Sequence, residues 1–149
     1  MYDRILVPTD GSPEVERAIG HAVDLAASHG ATLEAVYVVN TASYTTMPME
    51  TGWEGVDEML YEEGETALDR VRELAAGSDV DVETHLLDGS PAREIVGFGE
   101  ETGCDLIVMG THGRGGIDRL LLGSVAERVV RSSEVPVLTV RVTGDDAGE

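Results

Sequence analysis

The chain contains no lysine. Its ten cations are all arginine, set against 29 aspartates and glutamates in 149 residues. The resulting formal net charge of −19 excludes nucleic acid and anionic membrane as expected partners, because such a surface repels polyanions at long range. Cysteine is nearly absent too. With Cys104 alone, no intrachain disulfide can form, which fits a reducing compartment. Long apolar runs are missing, and none approaches the ~18 residues of a membrane span. The opening "MYDRILVPTD" lacks the basic and apolar segments of a secretory signal. Together these absences lead to the expectation of a cytoplasmic protein.

What is present supports a folded domain. Hydrophobic residues make up 42% of the chain, too many for a disordered acidic tail, and the length suits one core. A carboxylate-rich, lysine-free surface suits concentrated, halophilic salt conditions, where ions at molar strength screen repulsion to within about 3 Å. A basic partner is the alternative reading of the same charge. Residues 1–143 are expected to form the domain and 144–149 a polar tail.

Apolar runs and helical periods alternate along the chain. "RILVPTDGS" opens with a buried strand, Ile5 to Val7, stopped by Pro8. Ser12 offers a helix cap and Pro13 a first helical position. Val15, Ala18, Ile19, Ala22, Leu25 and Ala26 then mark one helix face, which Gly30 ends. "ATLEAVYVV" is a second strand, apolar enough for burial on both faces. Asn40 to Gly52 has no period and reads as a loop. A long acidic helix follows from Trp53 to Ala76, its inner face marked by Val56, Leu60, Ala67, Val71 and Leu74. Its carboxylates, Glu58, Glu62, Glu65, Asp69 and Glu73 among them, form a solvated face.

"DVDVETHLL" alternates as a third strand, and "GSPAREIVGFGEETG" is a helix capped by Ser90 with Pro91 at its start. "CDLIVMG" is a fourth strand, Ser124 to Ser132 a helix, and "EVPVLTVRV" a fifth strand. Strands alternating with helices predict an α/β fold, a parallel doubly wound sheet with helices on both faces and right-handed crossovers.

In such a sheet, ligands bind beyond the carboxyl ends of the strands, near the reversal of strand order. Two of these ends carry suitable segments: "PTDGS" after strand one and "GTHGRGGIDRLLLGS", Gly110 to Ser124, after strand four. Gly110 lets the backbone turn. Gly113, Gly115 and Gly116 let amide N–H groups approach an anion. Gly123 and Ser124 stand at a helix start, where orphan N–H groups and the dipole favour phosphate. Ser124 and Glu127 also form an S-x-x-E capping pattern, so the hydroxyl has a structural role open to it. The attraction is local dipoles rather than net charge. Arg114 is the cation inside the glycine cluster and can reach distal phosphates, or it is simply solvated. Asp10 either meets a ligand or caps its own turn. His112 either touches phosphate or makes a structural hydrogen bond.

Familiar catalytic patterns are missing. There is no P-loop, which a chain without lysine cannot complete, and no G-x-G-x-x-G. No nucleophile elbow is present. The four histidines, His21, His29, His85 and His112, show no metal-ligand spacing with one another or with Cys104, so no protein metal ligands are expected. Cys104 reads as a core thiol.

The spacing G-x2-G-x9-G-[ST], met by Gly110, Gly113, Gly123 and Ser124, together with "ILVPTDGS" and "VPVLTVR", closely resembles the universal stress protein family in its ATP-binding branch. The resemblance is weakest from Asn40 to Gly77. It implies a Rossmann-like sheet of five parallel strands in the order 3-2-1-4-5. It also implies ATP with a divalent metal, magnesium or manganese, between the phosphates. On that likeness Pro8, Thr9 and Asp10 line the adenine and ribose side, and Val38 contacts adenine. Met109 and Gly110 approach the ribose, while Gly113, Arg114, Gly123, Ser124 and Val125 hold the phosphates.

The last strand needs a partner. Pro136 suits an edge, and Val135, Val137, Leu138, Val140 and Val142 make that edge apolar. Pairing with a second copy would bury it, as would a helix of the same chain. The family likeness implies a homodimer through residues 135–142. The expected function is a nucleotide-binding regulatory module in the stress response. Slow ATP hydrolysis or self-phosphorylation is one alternative, and a dimeric relative that binds no nucleotide is another. No general base or arginine–lysine clamp for rapid phosphoryl transfer is evident.

Overall fold

The computed structural model describes residues 2–40, 53–111 and 123–141. Five strands, β1 (Arg4–Pro8), β2 (Thr32–Val39), β3 (Val82–Asp88), β4 (Leu106–Gly110) and β5 (Val137–Val140), alternate with four helices. The helices are α1 (Glu16–His29), α2 (Trp53–Ala75), α3 (Pro91–Glu101) and α4 (Ser124–Ser132). The sheet is parallel throughout, in the order β3-β2-β1-β4-β5. The expected architecture is thus the observed one.

Strand alternation sorts the core into two faces. Ile5, Val7, Leu33, Ala35, Leu106 and Val108 pack against α1 and α2, whereas Leu6, Val36, Ile107 and Met109 pack against α3 and α4. β1, β2 and β4 are therefore buried on both sides, as their near-continuous apolar runs require. Each fully buried Val, Leu or Ile contributes about 1.5–3 kcal/mol relative to exposure.

The inner faces read from sequence hold. Ala18, Ile19, Ala22 and Ala26 of α1 and Ala67 and Val71 of α2 are buried, with Leu60 and Leu74 packed against them. Glu58, Glu62, Glu65, Asp69 and Glu73 are exposed. Val56 has its side chain outside the described set. Gly64 explains how α2 lies so close to the sheet. A Cβ there would stand 2.5 Å from Leu86 Cδ1 and 2.7 Å from Tyr37 Cδ1.

Several local expectations are corrected. Ser12 precedes a 3-10 turn, Pro13–Val15, and not α1 itself, and its side chain caps nothing. Its hydroxyl donates to Asp10 Oδ1 at 2.6 Å, a charge-assisted bond that holds the side chain toward the preceding turn. Ser90 occupies the N-cap of α3 but makes no side-chain cap bond. Ser124 is the first residue of α4, with Gly123 in the cap position, so the S-x-x-E box is one residue out of phase. β3 does not alternate cleanly: it is an edge strand, half-buried on both faces, with Val82 and Leu86 toward α2 and Leu87 toward α3. β5 is shorter than its apolar run. Pro136 lies outside it, although its carbonyl accepts the Ile107 N–H at 2.9 Å.

Outside the core, Arg70 of α2 donates two bonds to Glu16 of α1, Nε at 2.8 Å and Nη2 at 3.1 Å, and a third to Glu73. The hydrogen bond from Arg70 holds the Glu16 carboxyl below its ordinary range, with burial opposing it and the guanidinium charge adding to it. Glu16→Gln is expected to lower stability by less than about 1 kcal/mol, because the pair is solvent-screened. A lowered carboxyl pKa contributes stability above its unfolded value, and that contribution is lost as pH falls through the folded value. Chemical denaturation of both proteins should therefore differ at neutral pH and converge in acid below the ordinary carboxylate range.

Candidate functional site

The strand order reverses between β1 and β4, whose carboxyl ends lie side by side at the centre of the sheet. Beyond β1 the chain is pinned. The Thr9 N–H donates to the Val36 carbonyl at 2.9 Å, extending the ladder by one residue. Thr9 Oγ1 accepts the Gly11 N–H at 3.1 Å, and Asp10 Oδ1 accepts both the N–H (2.9 Å) and the hydroxyl of Ser12. Gly11 adopts φ 81°, a conformation that disfavours any side chain. Of the two sequence readings of Asp10, the turn-capping role is realised at Oδ1. Thr9 and Ser12 are themselves buried, so the segment is a rigid floor.

Beyond β4 the Thr111 N–H donates to the Val140 carbonyl at 2.9 Å, and the Thr111 carbonyl accepts the Gly123 N–H. That second bond ties the start of α4 to the end of β4. The first intrahelical bond of α4 runs from the Glu127 N–H to the Gly123 carbonyl at 2.9 Å. The N–H groups of Ser124, Val125 and Ala126 thus have no acceptor within the helix. With the positive end of the helix dipole they form a donor set for an anion. Gly123 contributes differently from the sequence expectation. Its N–H is spent on Thr111, so what it offers a ligand is the absence of a side chain.

Four of the expected contact residues share one face. Val38 and Val125 pack against the cluster that holds Met109, on the α3 and α4 side of the sheet. Pro8 follows Leu6 onto that side by alternation. Met109 is buried, which leaves its backbone as the part able to meet a ligand, and Gly110 closes β4 opposite Val140. His112, Gly113 and Arg114 lie outside the described residues, as do positions 115–122. Cys104 is buried as expected. Burial pushes its thiol up, opposed by the Thr102 hydroxyl 3.3 Å away, so it is a poor nucleophile.

A second polar cluster lies toward the other end of the strands, and sequence spacing missed it. Glu34, in the middle of the apolar run of β2, is 1% exposed. Its Oε2 accepts from Arg4 Nη1 at 2.7 Å, and its Oε1 lies 2.7 Å from His85 Nε2. Glu83 stands beside Glu34 in the β2–β3 register. Among the described residues this is the one group of metal-ligating side chains, with ligand atoms of Glu34, Glu83 and His85 all within 4.8 Å of one another. A histidine-to-histidine spacing rule could not find it, because its members come from two strands. The signal available was a lone acid inside an otherwise apolar strand.

Comparison with known proteins agrees with the architecture. The model of the universal stress protein family matches residues 1–141. The chain is 45% identical over 141 residues to universal stress protein MJ0531 of Methanocaldococcus jannaschii, spanning 95% of this chain and 83% of that one. Among solved structures, hypothetical protein MJ0577 superposes with a TM-score of 0.85 at 29% identity, covering 97% of this chain and 99% of the other. A universal stress protein crystallised in complex with cAMP superposes with a TM-score of 0.69, also at 29% identity, covering 95% and 98%. Among the described residues, no helix is long and apolar enough to cross a membrane.

Proposed function

Because the chain belongs to the universal stress protein family, we propose that it is a dimeric regulatory module that binds ATP where β1 and β4 end. Its loaded or empty state would set the contacts it makes in a stress response. One observation carries this reading. The bond from Gly123 to Thr111 fixes three unpaired-in-helix amides, those of Ser124, Val125 and Ala126, at the switch point of the sheet. The related structure holding cAMP supports an adenine nucleotide as the ligand class.

In this reading Pro8, Thr9, Asp10 and Val38 bound the base and ribose, and the Met109–Gly110 backbone approaches the ribose. Gly113, Arg114, Gly123, Ser124 and Val125 surround the phosphates. Magnesium or manganese between the phosphates would offset their charge in so acidic a protein. The dimer would form through β5, which pairs on one side only among the described residues and leaves Leu138 38% exposed.

Mass spectrometry of nucleotide released from natively purified protein, followed by equilibrium dialysis with ATP and magnesium, tests the proposal. About one adenine nucleotide per chain, retained without turnover of labelled ATP, is the expected result. Turnover lost in Gly113→Ala would move the reading to a slow ATPase. No binding at all would leave a dimer-only relative.

A further inference from the structure

We propose that Glu34, Glu83 and His85 form a binding site for a borderline divalent cation of the zinc type, joining β2 to the edge strand β3. The β2–β3 register places Glu34 beside Glu83 and Val36 beside His85. Strand alternation then puts Glu34, Glu83 and His85 on one face, and the tilted ring of Phe98 in α3, 4.6 Å from the His85 ring, identifies that face and holds the imidazole.

The division of labour at Glu34 is the central observation. One carboxylate oxygen is held at 2.7 Å by Arg4. The other lies against the histidine nitrogen, and Glu83 brings a carboxylate oxygen within 4.8 Å of a ligand atom of each of the two. Metal-bound carboxylates are commonly held in this way, one oxygen on the metal and the other on an outer donor. Arg4 is in turn positioned by its own N–H, which donates to Asp105 Oδ2 at 3.0 Å.

Charge favours the same assignment. The cluster holds two carboxylates, Glu34 and Glu83, and Arg4 bonds the first, so Arg4 alone does not balance them. One nitrogen and two carboxylate donors suit zinc better than magnesium or calcium, which prefer all-oxygen shells. Zinc at about 2.0–2.2 Å from each ligand needs tetrahedral donor atoms about 3.3 Å apart. His85 and Glu34 would therefore separate by about 0.6 Å on loading, and the proton between them would leave. Glu83 is exposed and His85 partly so, which gives the ion a path from solvent and leaves the fourth position to water.

This site is separate from the nucleotide site. Four residues of strand divide Glu34 from Val38, about 13 Å. The inference does not rest on ATP binding.

The test uses the full, tag-free chain, stripped with chelator and kept without nucleotide in molar sodium chloride, which suppresses diffuse binding to the acidic surface. Calorimetric titration with zinc should show one saturable site per chain. Cobalt at the same site should give the intense visible absorption of a four-coordinate ion. His85→Ala and the surface variant Glu83→Gln should each weaken zinc binding at least tenfold and abolish the zinc-dependent rise in Tm, while His21→Ala should leave both unchanged. If His85→Ala fails to fold, Glu83→Gln decides alone. Absence of a saturable 1:1 site, or binding unaffected by Glu83→Gln, would overturn the proposal.

Discussion

Arg4→Met lowers the unfolding free energy by about 2–3 kcal/mol in metal-free protein, an expected loss far larger than that of an ordinary surface arginine. Glu34 is 1% exposed, while the Arg4 side chain is 43% exposed. Removing one partner of a buried ion pair costs about 3–5 kcal/mol, because the remaining charge stays buried and unpaired. The partial exposure of Arg4, and the second contact of Glu34 with His85, bring the figure to the lower end. Adding Glu34→Leu to Arg4→Met should recover most of the loss, since an apolar replacement for both partners removes the desolvation penalty along with the attraction. Denaturant unfolding of the two single variants and the double variant measures this directly. Strictly additive losses would show that Arg4 does not stabilise Glu34.

Ser124→Glu is expected to separate binding from folding. Ser124 is the first residue of α4, where a carboxylate favours the helix dipole and adds a few tenths of a kcal/mol to stability. The same carboxylate would stand beside the amides proposed to hold phosphate. Two like charges about 5 Å apart at an effective dielectric of about 20 repel by about 3 kcal/mol. Solvent screening reduces this to about 2 kcal/mol, or about 30-fold in ATP affinity. Equilibrium dialysis should therefore show at least that loss while Tm holds or rises. Unchanged affinity would place the phosphates away from the α4 terminus and remove the main support for the functional reading.

The elements of the fold were legible because each depends on short-range pattern. Continuous apolar runs in β1, β2 and β4 announce strands covered on both faces, and the three- and four-residue recurrence in α1 and α2 announces their inner sides. The side-chain caps were not legible. Ser12, Ser90 and Ser124 all satisfy the capping pattern, but a cap depends on side-chain angle and on the exact residue at which the helix starts. For Ser12 a charge-assisted bond from its hydroxyl to the Asp10 carboxylate two residues back holds the side chain toward the preceding turn. The clean alternation expected of β3 failed for another reason. Whether an edge strand has one covered face or two depends on which side of the sheet its flanking helices pack, here α2 on one and α3 on the other, and the strand's own pattern does not carry that.

For the candidate site, the residues were legible and their division of labour was not. The glycine and serine positions follow from spacing, and the resemblance supplied the strand order. Only the folded chain shows that the Gly123 amide is spent on Thr111, that Asp10 Oδ1 is turned into its own loop, and that the Met109 side chain belongs to the core. Amino-acid order by itself determined the α/β class, the inner helix faces and the acidic character, because hydrophobic period and charge are properties of neighbours in the chain. The tertiary structure alone decided which amides remain to meet an anion and, among the described histidines, that His85 meets a buried carboxylate. The first turns on a bond between the start of α4 and the end of β4, the second on pairing between β2 and β3, and a hydrogen bond or a ligand shell is a distance, which sequence separation does not carry.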